Sequence, residues 1–148
     1  MNEKELQIKL GAATEKFIAK TLRTYGYWVY NVPMKTSGQP CDIIAVKGNS
    51  GKSGNAFLVW LIDGKHVRGE EVSFTFARIE PNQISAMGYA HDFANIENIG
   101  FCVFFDRDKK LRWLSFSEYK KLSDSGAKSV NMNNLKLFTE VLADANCN

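Results

Sequence analysis

The chain has 148 residues, a formal net charge of +3 and an isoelectric point of about 8.7. This length suits one domain with a sizeable core, and we expect residues 1–148 to form it. The longest apolar run, Ala56–Ile62, is too short to cross a membrane, and the N-terminus lacks the apolar segment of a secretory signal. We therefore expect a cytoplasmic protein. Its small positive charge permits a nucleic-acid partner without establishing one.

The three cysteines point to the same compartment. They lie far apart, at Cys41, Cys102 and Cys147, and none belongs to a Cys-x-x-Cys or Cys/His pattern. An odd number of widely spaced cysteines is typical of reduced thiols in a cytosolic protein. The sequence therefore predicts neither a disulfide framework nor a zinc site.

The N-terminal part of the chain predicts one helix and three strands. Apolar residues recur at helical spacing over residues 3–25, and Gly26 can end that helix. The residues expected on its buried face are Leu6, Leu10, Phe17 and Ile18. Strands rich in β-branched and aromatic residues are expected at 27–32, 41–46 and 56–67. Polar and glycine-rich loops, at 35–40 and 47–55, should connect them.

The rest of the chain predicts a second helix, two strands and further helices. Residues 73–76 form a short edge segment, and Pro81 suits the first turn of a helix. Strands follow at 99–105 and 111–114. Ser115 and Glu118 form a capping box for a short helix ending near Ser123, and Asn133-Asn134 can cap a last helix over 135–143.

This order, α-β-β-β-α-β-β-α, predicts an α/β fold in which helices flank a mixed β-sheet. Short connections make the first three strands an antiparallel meander. The strand after the second helix can return parallel to the sheet through a right-handed crossover.

Three acidic residues stand where a packed core would disfavour them. Asp42 opens an apolar strand, Asp63 interrupts a strand that begins FLVWLI, and Glu15 lies on the apolar, small-residue face of the first helix. Buried carboxylates are costly unless they are paired or bound to a metal. Their positions therefore suggest a functional cluster.

A lysine completes the candidate cluster. Asp63 and Lys65 are two positions apart on one strand, so their side chains project from the same face. Gly64 between them can turn its carbonyl toward a ligand. Two carboxylates suit Mg²⁺, which also retains waters and takes phosphate oxygens. Such a site can hydrolyse a phosphodiester, because the metal promotes ionisation of water and the lysine neutralises charge in the transition state.

Each residue also has a purely structural interpretation. Asp42 can be a turn residue at a strand start, and Glu15 can be an exposed helix residue. Asp63-Gly64 can form a hairpin turn, which would leave Lys65 on a solvated face. The joint occurrence of all four in one order favours the functional cluster.

This order and spacing resemble the PD-(D/E)XK nucleases. Asp42 lies 21 positions before Asp63-Gly64-Lys65, after a glutamate-bearing helix and before another helix. Within that superfamily the chain looks most similar to Holliday-junction resolvases of the RecU type and related phage or prophage nucleases. The shared features are G-x-x-x-E at Gly11 and Glu15, G-x-P-C-D-I-I over 38–44, and R-I-E-P-N-Q over 78–83.

The resemblance implies a restriction-endonuclease-like fold and assigns roles. The implied catalytic residues are Glu15, Asp42, Asp63, Lys65 and Gln83, the last supporting the site from the second helix. The implied ligands of Mg²⁺, or of Mn²⁺ as a substitute, are Asp42, Asp63, the Gly64 carbonyl and Glu15. The chain departs from the pattern in having Pro40 one residue earlier than in the literal PD motif, Asp63 where resolvases commonly have Glu, and no evident stalk.

The expected function is therefore metal-dependent endonucleolytic cleavage of DNA, in branched structures, in a bacterium or the host of a phage. A homodimer is expected because symmetric cleavage of two strands needs two sites. Phosphate contacts are expected from Lys16, Lys35 and Arg78. Two alternatives stay open: a restriction- or repair-type nuclease acting on duplex DNA, and a non-catalytic module that binds DNA or protein.

Overall fold

The computed structural model describes residues 1–33, 39–48 and 57–146. Its helices are α1 (Glu3–Thr24), α2 (Pro81–Asp92), α3 (Phe116–Asp124) and α4 (Phe138–Asn146). Its strands are β1 (Trp28–Asn31), β2 (Ile43–Gly48), β3 (Phe57–Val67), β4 (Ser73–Thr75), β5 (Ile99–Phe105), β6 (Lys110–Ser115), β7 (Ser129–Asn131) and β8 (Lys136–Leu137). Short 3-10 helices span Phe76–Arg78 and Met132–Asn134. The predicted α/β class is confirmed, and most of both predicted loops lies outside the described residues.

α1 begins and ends as its sequence indicates. Asn2 caps it through a bond from the Glu5 N–H, and the Glu5 carboxylate accepts the Asn2 N–H in return. The helix ends just before Gly26, whose φ of +90° suits glycine. Its buried residues are Thr14, Ile18, Ala19 and Leu22. The prediction that Phe17 is buried is wrong, because Phe17 is 41% exposed. The helix face that packs on the sheet runs through Thr14, Ile18 and Leu22, and Phe17 lies beside that face.

A six-stranded sheet forms the centre of the molecule, in the order β1-β2-β3-β5-β6-β8. β1, β2 and β3 are the predicted antiparallel meander. β5 pairs parallel to β3, from Leu61 opposite Ile99 to Val67 opposite Phe105, and the crossover between them contains α2. The predicted parallel return of the chain is therefore confirmed.

The last helix begins later in the structure, at Phe138, than the sequence predicts. Asn133-Asn134 belong to a 3-10 helix, and Lys136–Leu137 pair with β6 before α4 begins at Phe138. The two-residue strand β8 depends on backbone partners in β6, so no local pattern marks it. Similarly, the predicted edge segment at 73–76 becomes β4, whose partner β7 was not expected from the sequence.

The sheet separates two hydrophobic cores. The core beneath α1 and α4 includes Ile18, Trp60, Ile62, Phe138 and Leu142, and the core beneath α2 and α3 includes Phe74, Met87, Phe101, Phe105 and Leu114. Along β3, Trp60 and Ile62 face α1, whereas Leu61 and Val67 face the other core. By alternation, Asp63 and Lys65 lie on the α2 side and Gly64 on the α1 side. In the described ranges, no helix has the length and apolar character to cross a bilayer.

Candidate active site

The site forms at the N-terminal end of β2, where β3 extends beyond its partner strand. The ladder between these strands reaches Ile43 opposite Ile62. One position further, the Asp42 N–H donates to the Ile62 carbonyl at 2.8 Å, and the Asp42 carbonyl accepts from Val32 at 2.8 Å. Beyond that point, among the segments that the structure describes, β3 forms a ladder with β5 alone. Its side toward β2 is therefore open from Gly64 onward.

The side chain of Asp42 bonds to Gly64 of β3, at a position where β2 no longer provides a backbone partner. Its Oδ2 accepts the backbone N–H of Gly64 at 3.1 Å, and the residue is only 8% exposed. The N–H and C=O groups of one strand residue point to the same side. The Gly64 carbonyl therefore faces the same open edge as the Asp42 carboxylate, as an oxygen-ligand site requires.

Asp63 and Lys65 project from one face of β3, as their spacing predicts. Lys65 Nζ lies 3.1 Å from Asp63 Oδ2. The hairpin interpretation of Asp63-Gly64 is wrong, because β3 is one continuous strand through both residues. In the described part of the chain, Asp63 Oδ2 is buried without a hydrogen bond of suitable geometry. The contact with Lys65 is therefore an ion pair that leaves this oxygen incompletely satisfied.

Burial and charge make the Asp63 carboxylate unstable as an anion. The pKa of Asp63 is raised from 3.8 to about 7: burial raises it most, the positive charge of Lys65 lowers it, and the negative charge of Asp42 raises it. Two carboxylates with one lysine leave excess negative potential at this edge. A divalent cation would offset that potential, so the donor set fits a hard metal ion.

Glu15 reaches the site from the opposite face of the sheet. A methyl group at Gly64 would lie 3.1 Å from Cδ1 of Ile18 and 3.6 Å from Cγ of Glu15. Gly64 therefore allows α1 to pack closely on β3. This packing places Glu15 next to Gly64, whose backbone N–H donates to the Asp42 carboxylate. Within the described ranges, no three His, Cys, Asp or Glu side chains are grouped to hold a metal ion. The carboxylate pair alone meets the usual protein contribution to a Mg²⁺ site.

Arg78 binds the same open edge of β3, two residues beyond Gly64. Its Nη1 donates to the backbone carbonyl of His66 at 2.6 Å, and its guanidinium lies 5.8 Å from the centroid of the Phe74 ring. Partial burial lowers the pKa of Arg78, and the negative charge of Asp63 opposes that change. The guanidinium thus stays close enough to the carboxylates to interact with them electrostatically.

Gly64, Lys65 and Arg78 line a cleft of about 490 Å³ between α1, the end of β3 and β4, whereas Asp42 and Asp63 lie beside it and do not line it. Its cationic side chains are Lys65, Arg68 and Arg78. Sequence reasoning missed Arg68, which also forms an ion pair with Glu3 and follows β3 directly. Its position three residues after Lys65 was the only signal. The cleft also contains Glu71, but its three cations give it a net positive lining that can accept a phosphate next to Gly64.

The other predicted phosphate contacts are not assembled here. Lys16 is exposed on α1 and does not line this cleft. Lys35 lies outside the described residues. Gln83 is half-buried in the first turn of α2, and its backbone N–H donates to Glu80. Among the residues that the structure describes, no hydrogen bond joins the Gln83 side chain to the acidic cluster, so its role stays a prediction.

The side chains of His66 and of the described cysteines take no part in this cluster. His66 points to the α1 side, as its position next to Lys65 predicts, and its Nε2 lies 2.5 Å from Asp106 Oδ1. Cys41 and Cys102 are free and buried. Burial raises the pKa of the Cys41 thiol to about 12, so it is not a nucleophile at neutral pH.

Comparison with known proteins shows the fold. No protein-family model matches the sequence, and no curated protein matches it either. Among solved structures, the chain resembles Hjc of Archaeoglobus fulgidus, a Holliday junction resolvase from an archaeal hyperthermophile. The TM-score is 0.61 at 16% identity, covering 89% of this chain and 99% of Hjc.

The chain has the restriction-endonuclease-like fold.

In this restriction-endonuclease-like fold, the cluster occupies the point where the central sheet opens. Asp42, Gly64 and Arg78 lie at the open edge of β3, with Asp63 and Lys65 on one face of the strand. Acid oxygens beside a lysine and an arginine can bind a cation and an anionic ester together.

Proposed function

We propose that this chain is a Mg²⁺-dependent endodeoxyribonuclease of the PD-(D/E)XK superfamily that hydrolyses phosphodiester bonds in branched DNA. The observation that carries the proposal is the placement of the buried Asp63–Lys65 ion pair beside the Asp42 carboxylate at the unpaired edge of β3. A carboxylate with a raised pKa, paired with a lysine inside a cleft, is common at functional sites. The fold match supports the proposal at the level of architecture.

The metal would be held by the Asp42 and Asp63 carboxylates and the Gly64 carbonyl. Glu15 would approach the same edge from α1, directly or through water. A carboxylate can accept several hydrogen bonds, so Asp42 can hold the Gly64 N–H and a cation together. When bound, Mg²⁺ supplies positive charge that polarises the phosphate ester and promotes ionisation of water. Mn²⁺ has the same preference for oxygen ligands and should substitute.

The protein's own residues bind and orient the ester. The Lys65 ammonium is fixed by Asp63, so it can orient the attacking water or neutralise charge that develops on the phosphoryl oxygens. Arg78, held by a backbone carbonyl, would bind a phosphate in the cleft. Lys16 and Lys35 would contact phosphates further along the DNA, and Gln83 would support the site.

Branched DNA is the substrate that we favour, because the structural relative is described as a Holliday junction resolvase. We further propose that residues 1–148 act as one nuclease domain of the RecU-like or phage type, working as a homodimer in the cytoplasm of a bacterium. Each copy would supply one site, and symmetric cleavage of a junction needs two. Light scattering at micromolar concentration should give the mass of two chains.

Cleavage of a labelled four-way junction tests the function. Wild type and Asp63→Asn should be compared with Mg²⁺ or EDTA, beside a linear duplex of equal length. We expect cutting only by wild type, only with metal, and faster on the junction. Equal cutting of duplex would support a restriction- or repair-type nuclease instead. Binding without cutting, by protein shown to be folded, would support a non-catalytic module.

A further inference from the structure

Gly11 lies in the interior of the 22-residue helix α1. A glycine there destabilises a helix relative to alanine, because it loses more backbone entropy on folding. Close packing inside the protein does not explain it. A methyl group at Gly11 would meet no atom within 4 Å among the described residues, whereas at Gly64 it would meet Ile18 at 3.1 Å. The absent side chain thus leaves space outside the protein.

Two concave surfaces meet at Gly11. On one side is the cleft that contains Lys65 and Arg78. On the other is a groove of about 460 Å³, lined by Lys4, Gln7, Ile8, Gly11, Ala12 and Glu15. Gln7 and Gly11 line both surfaces. Gly11 is therefore the point on α1 where the two surfaces join.

The chemistry along this path suits a nucleic-acid backbone. The cleft contains Lys65, Arg68 and Arg78 with one acid, Glu71, and the groove beyond α1 contains Lys4 and Glu15, so cations outnumber acids along the path. Lysine and arginine side chains are the usual partners of phosphates. A glycine permits close approach of a ligand backbone, because it has no side chain to hold the ligand away.

We propose that one strand of the DNA substrate crosses α1 at Gly11, so that its sugar–phosphate backbone passes from the cleft of Lys65 and Arg78 into the groove beside Lys4 and Glu15. This inference rests on the proposed nuclease function. It explains why α1 keeps a residue that weakens the helix, at the position where the surfaces join. It also brings the strand past Glu15, which approaches the site from the α1 face.

Substitutions at Gly11 should change stability and activity in opposite directions. Alanine and leucine are strong helix formers, so Gly11→Ala and Gly11→Leu should each raise Tm by roughly 2–4 °C. Both should impair turnover because the added side chain displaces the strand. The loss should be about tenfold for Gly11→Ala and about a hundredfold for Gly11→Leu, the scale expected for an ångström of misplacement. Junction affinity in Ca²⁺, measured by fluorescence anisotropy, should fall in the same order.

Gly88→Ala is the matched control. Gly88 lies inside α2, where a methyl group would make an ordinary 3.5 Å contact with Phe116, and it lines neither surface at Gly11. It should gain stability without losing activity. Wild-type binding and cleavage by Gly11→Leu would overturn the inference and leave the proposed function intact. Wild type that binds DNA without cutting it, with weaker binding by Gly11→Leu, would support the path and reject the nuclease. Wild type that neither binds nor cuts DNA would overturn both.

Discussion

The two halves of β3 differ in the groups that complete their hydrogen bonds. From residue 57 to 62 the strand pairs with β2, and from 61 to 67 it pairs with β5. The first half, FLVWLI, is apolar. In the second half, on the side that β2 leaves open, the Asp42 carboxylate accepts the Gly64 N–H, and Arg78 donates to the His66 carbonyl. Charged side chains thus occupy positions that a neighbouring strand would otherwise fill.

This difference separates stability from chemistry along one strand. The first half buries large side chains such as Trp60 and Ile62 and holds the sheet together. The second half keeps charges at low exposure, which burial makes costly unless a ligand offsets them. Its rigidity comes from β5, so the site can be open on one edge without losing its geometry. Substitutions in the two halves should therefore have different consequences.

The largest effect should come from Lys65→Ala. Loss of the ammonium beside Asp63 removes stabilisation of transition-state charge, so kcat should fall by about 10²–10³-fold. Binding of a junction in Ca²⁺ should change little, because the cation acts mainly in the transition state. Val59→Ala in the first half is the control: it should lower Tm and preserve kcat per folded molecule. Equal losses of binding and turnover in Lys65→Ala would contradict the assigned role.

Asp42 should respond differently to asparagine and to alanine. Asp42→Asn keeps an oxygen that can accept the Gly64 N–H, so stability should be nearly unchanged while Mg²⁺-dependent cleavage is lost. Asp42→Ala leaves that N–H without its partner, which costs about 1–3 kcal/mol for a buried group. Chemical denaturation and calorimetric Mg²⁺ titration separate the two effects. Normal metal affinity in Asp42→Asn would show that this carboxylate has only a structural role.

Arg78→Ala should weaken DNA binding more than Lys16→Ala does. Removing one phosphate contact lowers affinity uniformly across sequences and reduces the slope of log K against log salt by about 1. Lys16 also carries a positive charge but lies outside the cleft, so its removal should have the smaller effect. Anisotropy titrations at several salt concentrations measure both slopes. Identical slopes for the two variants would argue against the cleft as the centre of phosphate binding.

A separate effect should appear in the dependence of stability on pH. The pKa of Asp63 is about 7 in the folded protein and 3.8 as the ordinary value. The folded state therefore binds the proton more tightly, and stability in EDTA should fall as pH rises from about 4 to about 7 and stay lower above. Asp63→Asn cannot ionise, so its Tm should lack this fall and exceed that of wild type at pH 8. Asp124→Asn, at an exposed acid, is the control and should follow wild type; a parallel curve for Asp63→Asn would contradict the raised pKa.

Helix and strand positions were predictable wherever local sequence sets them. The capping box of Asn2 and Glu5 starts α1, and Gly26 ends it, so both limits of the helix are set by residues next to them in the sequence. β3 and β5 are apolar enough that burial fixes their type. The predicted last helix was wrong at its start, because Lys136–Leu137 form the brief strand β8, which exists only through backbone bonds to β6. The pairing of β4 with β7 has the same origin, since the strands lie more than fifty residues apart.

The site was predictable in part. Alternation along a strand places Asp63 and Lys65 on one face, and no tertiary information is needed for that inference. The sequence could not show that Glu15 would approach from the other face or that Arg78 would bind a β3 carbonyl. It also gave only weak signals for Arg68, because lining a cleft depends on how α1 and β4 meet.

The sequence by itself determined the α/β order, the antiparallel meander and the spacing of two acids and a lysine, because these depend on periodicity and chain connection. Only the tertiary structure decided that the pairing of β2 with β3 stops at Ile43. That stop opens the edge of β3, turns the Asp42 carboxylate into a hydrogen-bond partner of Gly64, and buries Asp63 enough to raise its pKa. Burial and charge proximity are properties of packed elements, so no local pattern could specify them.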